Sequence, residues 1–400
     1  MPRRMKGEGG ITLRTDGRWM GTAETGWGPD GKRRRRTVYG RTQREVVVKL
    51  AKERKAIADH GATLATARTT VKTWGEQWLT MHESTVRSAS EATDRSAVRL
   101  WIIPALGHRR LEALTPADIR TLTTTITAAG RSTTTAHRAH AVLFKMLRDA
   151  ILEGHRVPPR VLLVKGPPLA PHDRDAIPVP DALLILKAAS QRPDASRWVA
   201  AFLQGLRQGE CLGLTWDDVD LAAGQMTVEW QLDALPYLDR AAGTFKVKPG
   251  LRVRHLEGAW HLTEVKTAHG ERRLPMVAGM ATYLTAWRQI APASPYGLVW
   301  PRDDGSPRSD HDDRTQWHAI QDDAGVRHAS GRYYYVHEIR HNCATLLRLI
   351  GASDDVIISI LGHSSILASR KYIHTDSTSQ LTALEGVAGL LGLGAPLIEG

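Results

Sequence analysis

Residues 337–372 read HEIRHNCATLLRLIGASDDVIISILGHSSILASRKY, and the fold turns on how they are understood. The stretch sets His337, Arg340, His341, His363 and Tyr372 around two short helical patterns. Its first five residues match HExxH, in which two histidines on one helix face hold zinc and the glutamate acts as base. A catalytic zinc needs a third protein ligand. The extension HExxHxxGxxH fails, because Ala344 and Leu347 stand where the glycine and the third histidine would fall, and no glutamate occurs between 339 and 384. The zinc reading also leaves GLRQGECLGLTWDDVDL at 205–221 without a role, and we reject it.

That second piece brings Arg207 directly after an apolar helical pattern ended by Gly205, with Glu210 three residues on. An arginine held at a helix junction beside a carboxylate is a preorganised guanidinium suited to bidentate phosphate contact. The plainer reading of the same residues is an ordinary Arg207–Glu210 surface pair.

Composition bounds the alternatives. A chain of 400 residues has room for two or three domains, each with its own core. No apolar run approaches the roughly 20 residues that span a bilayer, and MPRRMKGEGG lacks the apolar centre of a signal peptide. Cys211 and Cys343 lie far apart within apolar patterns, so a disulfide framework is not expected and a cytoplasmic location is. No phosphate-cradling GxxxxGK[ST] is present, which argues against nucleotide hydrolysis. The net charge of +12 favours a polyanionic partner, and residues 1–60 concentrate it, with 16 Lys and Arg against 7 Asp and Glu.

Taken in order, residues 1–62 predict a small three-stranded sheet followed by a helix from about 41 to 60. Asp16-Gly17 and Asp30-Gly31 supply the hairpin turns. Such a sheet could lay Lys32, Arg33, Arg34, Arg35 and Arg36 along phosphates or into a groove. Residues 61–70 read as a linker. Residues 70–155 predict a four-helix domain: VKTWGEQWLTMHE with Val71, Trp74, Trp78 and Met81 on one face, a second helix stopped by Pro104, a third capped by Thr115 with Pro116 at its first position, and a fourth from Ser132-Thr133 to Gly154. Residues 156–175 read as an extended proline-rich linker. Residues 176–385 predict a mixed, mostly helical domain with one small embedded sheet, and 386–400 a C-terminal tail.

GLRQGECLGLTWDDVDL resembles the first signature box of the tyrosine recombinases, the phage integrases. His337-Glu338-Ile339-Arg340-His341 resembles the family's HxxRH, Leu361-Gly362-His363-Ser364-Ser365 its LGHSS, and Tyr372, nine residues after His363, sits at the nucleophile's place. Val265-Lys266-Thr267, leading through a turn into Arg272-Arg273-Leu274-Pro275, resembles the strand pair that carries the family's lysine. Residues 233–260 look like an insertion. The arm sheet and the four-helix domain resemble, more loosely, the arm-binding and core-binding domains of integrases.

The resemblance implies a multidomain, mainly α tyrosine recombinase fold and a site-specific DNA recombinase, the integrase of a phage or mobile element. Phosphoryl transfer needs a nucleophile, charge stabilisation on the non-bridging oxygens and proton management. Tyr372 would attack a DNA phosphodiester to give a 3′-phosphotyrosine and a free 5′-hydroxyl, conserving bond energy so that rejoining needs no ATP. Arg207 and Arg340 would clamp the non-bridging oxygens and His363 would donate a further hydrogen bond. His337 is the candidate base for a phenol of pKa about 10, and Lys266 would protonate the leaving oxygen. Glu210 would orient Arg207, and His341 would pack behind the site. Tyr333-Tyr334-Tyr335 offer competing hydroxyls on what reads as a buried extended segment delivering His337. No metal or other cofactor is expected. The implied partners are double-stranded DNA attachment sites, further copies of the chain in a tetramer on DNA, and a DNA-bending accessory factor. There is no membrane partner, and the bacterial cytoplasm and nucleoid are the expected location. The last stretch, LTALEGVAGLLGLGAPLIEG, could cap its own domain; the resemblance favours a helix there that docks on a neighbouring protomer. The alternative is a non-catalytic DNA-binding accessory protein on the same scaffold.

Overall fold

The computed structural model describes residues 10–27, 33–60, 69–83, 88–169, 176–265, 271–362 and 377–393, in two compact units, 1–171 and 172–400. The proposed turn at Asp30-Gly31 lies outside the described residues.

The first unit begins with an antiparallel sheet, β1 (Ile11–Leu13), β2 (Trp19–Trp27) and β3 (Arg33–Gly40), in that order, followed by α1 (Gln43–His60). Gly17, at φ +77°, makes the first hairpin turn, as Asp16-Gly17 predicts. Val46 and Leu50 of α1 bury against Ala23 with Ile11, Trp19 and Val38. The basic run does not present one face. Strand alternation turns Arg36 toward α1, where it pairs with Glu53 at 3.1 Å, whereas Arg35 is exposed and only 4.0 Å from Glu24.

The helical part holds α2 (Val71–Glu83), α3 (Ser88–Ala97), α4 (Ile103–Leu106), α5 (Pro116–Ala128) and α6 (Thr133–Leu152). Trp74 and Trp78 bury on the predicted face, each indole donating into α6, to the Met146 carbonyl and the Asp149 carboxylate. Met81, predicted on the same face, is exposed. Thr115 and Asp118 form a reciprocal capping box, and Ser132 caps α6. Pro104 does not stop the second helix. A wide-turn segment at Val98–Ile102 precedes it, in which the Ile103 N–H reaches the Val98 carbonyl, and the proline falls in the first turn of α4, where its missing N–H costs little.

The proline-rich stretch also differs from an extended linker, as far as it is described. Val157 and Val161 enter the helical core, and Pro159–Leu163 form a short 3₁₀ turn. His140 and His137 of α6 hydrogen-bond the carbonyls of Val164 and Pro167 at 3.1 and 2.9 Å. Residues 156–169 are therefore a strap on α6, because their apolar residues have a groove to fill. Residues 170–175 lie outside the described set.

In the second unit α7 (Val179–Ser190), α8 (Ala195–Leu203), α9 (Gln208–Leu212), α10 (Ala278–Ile290), α11 (Asp310–Ala324), α12 (Val336–Leu349), α13 (Asp354–Leu361) and α14 (Ser377–Leu390) surround the strands. The core stacks Trp198 on Trp317 and includes Phe202, Ile339 and Leu361. Instead of one sheet there are two small ones and a hairpin: β4 (Val219–Asp220), β5 (Gln225–Val228) and β11 (Arg272–Pro275) in the order β11-β5-β4; β6 (Trp230–Ala234), β9 (Val253–His255) and β10 (Trp260–Glu264) in the order β6-β10-β9; and β7 (Tyr237–Asp239) paired with β8 (Thr244–Phe245).

The split has a simple origin. The strand 225–234 is broken only at Glu229, and its two halves pair with β11 and then β10: Val228 faces Arg272, and Trp230 faces Glu264. β10 ends at Glu264 opposite Trp230 and β11 begins at Arg272 opposite Val228, so the two pair with different halves of this strand and not with each other, contrary to the strand-pair expectation. The insertion is the connection from β6 to β10, at the other end of that strand.

α14 packs within its own unit. Leu384 and Val387 are fully buried in the same cluster as Ile339 and Leu361, and burial continues to Leu393. The expected docking on another protomer does not describe residues 377–393, and a boundary after 385 would cut through this helix; residues 394–400 lie outside the described set. Leu384→Ala should cost about 2–5 kcal/mol of unfolding free energy in urea titrations of the monomer. A helix serving only contacts between protomers would leave that value unchanged.

Candidate active site

Arg207 owes its place to two close approaches. Gly205, just past α8, has φ +57°, and a Cβ there would lie 2.4 Å from Leu361 Cδ2. Only glycine fits, so the chain turns tightly against α13 before entering α9. Arg207 is the N-cap of α9: its backbone N–H donates to Glu210 Oε2 at 2.9 Å and its Nη1 to Glu210 Oε1 at 2.5 Å. At the other end of α9, a Cβ on Gly213 would meet Gln231 and Leu232 backbone at 2.7 Å, which seats the short helix on β6.

Arg340, in the first turns of α12, is buried. Its Nη1 donates to the Gly205 carbonyl at 2.5 Å and its Nη2 to the Leu361 carbonyl. Arg207 Nη2 donates to the Gly362 carbonyl at 3.2 Å, and Arg272 Nε, from β11, to the Ile360 carbonyl at 2.7 Å. Three successive carbonyls at the end of α13 thus collect three guanidinium groups. The last carbonyls of a helix lack intrahelical partners and carry its negative partial charge. Gly362, at φ +64°, ends the helix in the left-handed conformation.

Glu210 is the carboxylate among them, and Arg272 Nη2 reaches its Oε2 at 2.8 Å. Burial works to raise the Glu210 pKa, but the charge and hydrogen bonds of Arg272, with Arg207, outweigh it and hold the carboxyl down at about 2. Arg340 is pulled down to about 9, first by burial and then by repulsion from Arg207 and Arg272. The cluster therefore sets three guanidiniums against one carboxylate. Arg207 remains the more open of the three, with its side chain 36% exposed. Such an arrangement receives an anion and stabilises negative charge that grows on it.

His337 and His341 stand exposed on α12 with ring centroids 4.9 Å apart, edge to face. Glu338 between them is fully buried. Arg332 grips both its oxygens, at 3.0 and 2.7 Å, and the Tyr335 N–H donates to it at 2.7 Å. It closes a helix cap and is not presented as a base beside the histidines. Among the described residues no group of three His, Cys, Asp or Glu is placed to hold a metal ion. The tyrosine run is only partly buried, contrary to expectation: Tyr334 is inside and Tyr335 exposed. Tyr334 donates to Asp181 at 2.8 Å, and burial and that carboxylate push its pKa up; Tyr333 donates to Asp322 at 3.0 Å. Both hydroxyls are occupied away from the arginine cluster.

Lys266, His363 and Tyr372 lie outside the described residues, as does Lys32; Arg33 and Arg34 are the first two residues of β3. His363 directly follows Gly362, and Lys266 follows Val265, whose N–H donates to the Glu229 carbonyl at 3.1 Å. Two residues escaped sequence reasoning. Arg272 was legible only as part of a strand, although the alternation Arg272, Leu274 buried against Arg273 exposed hints at an inward-facing charge. Arg252, in the insertion, joins Glu229, Glu264 and Glu271 at 2.6, 3.1 and 3.5 Å. Nothing in the spacing announces that. Cys211 and Cys343 are free and buried, with burial pushing both thiols up to about 12.

Residues 183–379 match the sequence profile of the phage integrase family, and residues 70–125 that of the phage integrase N-terminal SAM-like domain. An integrase of Saccharopolyspora erythraea is 25% identical over 93% of this chain and 94% of its own length. An integrase of Streptomyces ambofaciens is 27% identical over 96% and 97%. Among solved structures, the Tn1549 transposon integrase in complex with transposon right-end DNA superposes with a TM-score of 0.60 at 18% identity, over 77% of this chain and 97% of that one. A lambda integrase tetramer bound to a Holliday junction gives 0.58 at 16% identity, over 94% and 99%.

The Glu210 shift has a pH signature. Its folded-state pKa of about 2 lies below the ordinary 4.5, so the ionised carboxylate contributes stability that is fully present above about pH 4.5 and lost as pH falls toward 2. The contribution is on the order of 3 kcal/mol. Urea midpoints between about pH 5 and pH 3 should therefore fall more steeply for the wild type than for Glu210→Gln. Parallel curves would show that Glu210 is not held ionised.

Proposed function

The chain belongs to the phage integrase family, and from that membership we propose that it is a site-specific DNA recombinase cutting and rejoining double-stranded DNA through a 3′-phosphotyrosine, without ATP. The observation that carries this reading is the set of Arg207, Arg340 and Arg272 gathered on carbonyls 360–362 with Glu210 as the carboxylate among them. A phosphodiester brings one negative charge, and the transition state of its attack brings more onto the non-bridging oxygens. Three guanidiniums against one carboxylate leave positive charge for it to meet.

In this reading Arg207 and Arg340 bind the non-bridging oxygens, and His363, next after the α13 end, adds a donor. Tyr372 is the nucleophile, His337 relieves it of its proton, and Lys266 protonates the leaving 5′-oxygen. Glu210 holds Arg207, and His341 supports His337. The histidine pair stands on the same helix as Arg340, which supports that division of labour. Residues 1–62 would contact arm-type DNA, with Arg35 reaching phosphates and Arg36 engaged at α1. Residues 70–155 would contact the core site, and 176 onward would carry the chemistry. The related integrase structures contain DNA, in one case as a tetramer on a Holliday junction, which supports a DNA substrate and an oligomer. A DNA-bending accessory factor and action in the bacterial cytoplasm, at the nucleoid, complete the proposal. No helix among the described residues is long and apolar enough to cross a membrane. A non-catalytic accessory role is not favoured, since such a role would not require the arginine cluster.

The decisive test uses tiled, nicked duplexes spanning the DNA that flanks the chain's own reading frame. Wild type should trap a covalent protein–DNA adduct on one of them, and Tyr372→Phe should trap none; an undiminished adduct would remove Tyr372 from its role. A second measurement addresses the arm. Deleting residues 1–60 should flatten the plot of log affinity against log salt by about 0.9 for each phosphate that the arm neutralises. An unchanged slope would make the basic run a solubilising one.

A further inference from the structure

We propose that Arg272 is a positioning residue for the recombinase reaction: it locks the Glu210 carboxylate against the end of α13 and so fixes the direction in which Arg207 points. This deepens the recombinase reading and rests on it.

Arg272 sits on β11, 62 residues from Glu210 in sequence and 88 from Ile360, and touches both. Its Nη2 donates to Glu210 Oε2 at 2.8 Å while its Nε donates to the Ile360 carbonyl at 2.7 Å. One planar guanidinium therefore joins α9 to α13. Glu210 Oε1 takes Arg207 Nη1 at 2.5 Å and, more loosely, Arg272 Nη1 at 3.4 Å, while Oε2 is shared with the Arg207 backbone N–H. A carboxylate held by a single arginine can rotate about its last bonds and take that arginine with it. Gripped by a second cation from behind, it cannot. Arg272 is almost wholly buried, whereas the Arg207 side chain is over a third exposed, so the first serves as the anchor and the second faces the ligand.

The chemistry favours arginine over lysine here. The contacts to Glu210 and Ile360 use all three nitrogens of one rigid fork. A lysine supplies a point charge and can satisfy one partner well. It would leave Glu210 neutralised, and the fold intact, with the carboxylate less tightly aimed. Partners of this kind, behind the group that meets the reacting atoms, are worth about 10- to 100-fold in function.

The test compares Arg272→Lys and Arg272→Gln with the wild type on the nicked duplex that traps the wild-type adduct. The rate of adduct formation is measured at saturating DNA, DNA affinity separately, and the fold by thermal unfolding. A second duplex carries a methylphosphonate at the scissile position, so one non-bridging oxygen and the phosphate's negative charge are gone and a well-aimed Arg207 matters less. Arg272→Lys should melt close to the wild type and bind DNA equally well. It should form adduct about 10- to 100-fold more slowly on the phosphodiester, with most of that deficit erased on the methylphosphonate. Arg272→Gln should be slower still. An unchanged rate would overturn the inference, as would an equal deficit on both duplexes or a loss confined to affinity, each making Arg272 part of the scaffold only. If the wild type traps no adduct on any duplex, the recombinase reading itself fails first.

Discussion

The end of α13 is the constraint on which the second unit depends. A helix C-terminus leaves carbonyls unpaired and carries roughly half a negative charge. Here those carbonyls face inward, where water cannot satisfy them, and Arg272, Arg340 and Arg207 do so in turn at residues 360, 361 and 362. The solution draws β11, α12 and the turn before α9 to one point. It also favours glycine at 205, where φ is +57° and a Cβ would press on the buried Leu361 side chain. Three buried or half-buried cations would repel one another, and that repulsion adds to burial in lowering the pKa of Arg340. Glu210 and the helix end relieve it in part, and what is left over is the attraction for an anion.

What was legible in the sequence was local. The Thr115 and Ser132 caps, the Gly17 turn and the Trp74–Trp78 face depend on residues within a few positions of one another, and each takes the expected form. The signature boxes name Arg207 and Arg340 because their types and spacings are distinctive. Partnerships across long separations were not legible. Pro104 continues a helix because the wide turn before it absorbs the missing N–H. The strap at 156–169 packs because α6 offers His137, His140 and a groove, which a proline count cannot reveal. The role of Arg272 depends on Glu210 and Ile360, neither of them near it in the chain.

HExxH shows how one spacing can serve two chemistries. Positions four apart share a helix face, so His337 and His341 meet whether or not a metal lies between them. The residue that separates the readings is Glu338. Its carboxylate caps the helix start and pairs with Arg332, which turns it into the core. Arg340, a position the zinc motif leaves unspecified, meets the carbonyls that organise the site. Chemistry here follows from which face of α12 is buried.

The insertion is accommodated by the same logic of pairing. Strand 225–234 meets β11 along its first half and β10 along its second, with Glu229 between the two pairings. Residues added between β6 and β10 form the separate β7–β8 hairpin and the strand β9 beside β10, and the arginine cluster lies on β11, α9 and α12, outside these strands. Extra length at a loop costs little for this reason. Yet Arg252 reaches back from the insertion to Glu264 at the end of β10, Glu271 just before β11 and Glu229 between β5 and β6. Isolated exposed pairs of this kind contribute little, but three carboxylates around one guanidinium form a network rather than a pair. Those carboxylates would otherwise repel one another where β10 ends and β11 begins, so the insertion supplies the positive charge that lets them stand together there.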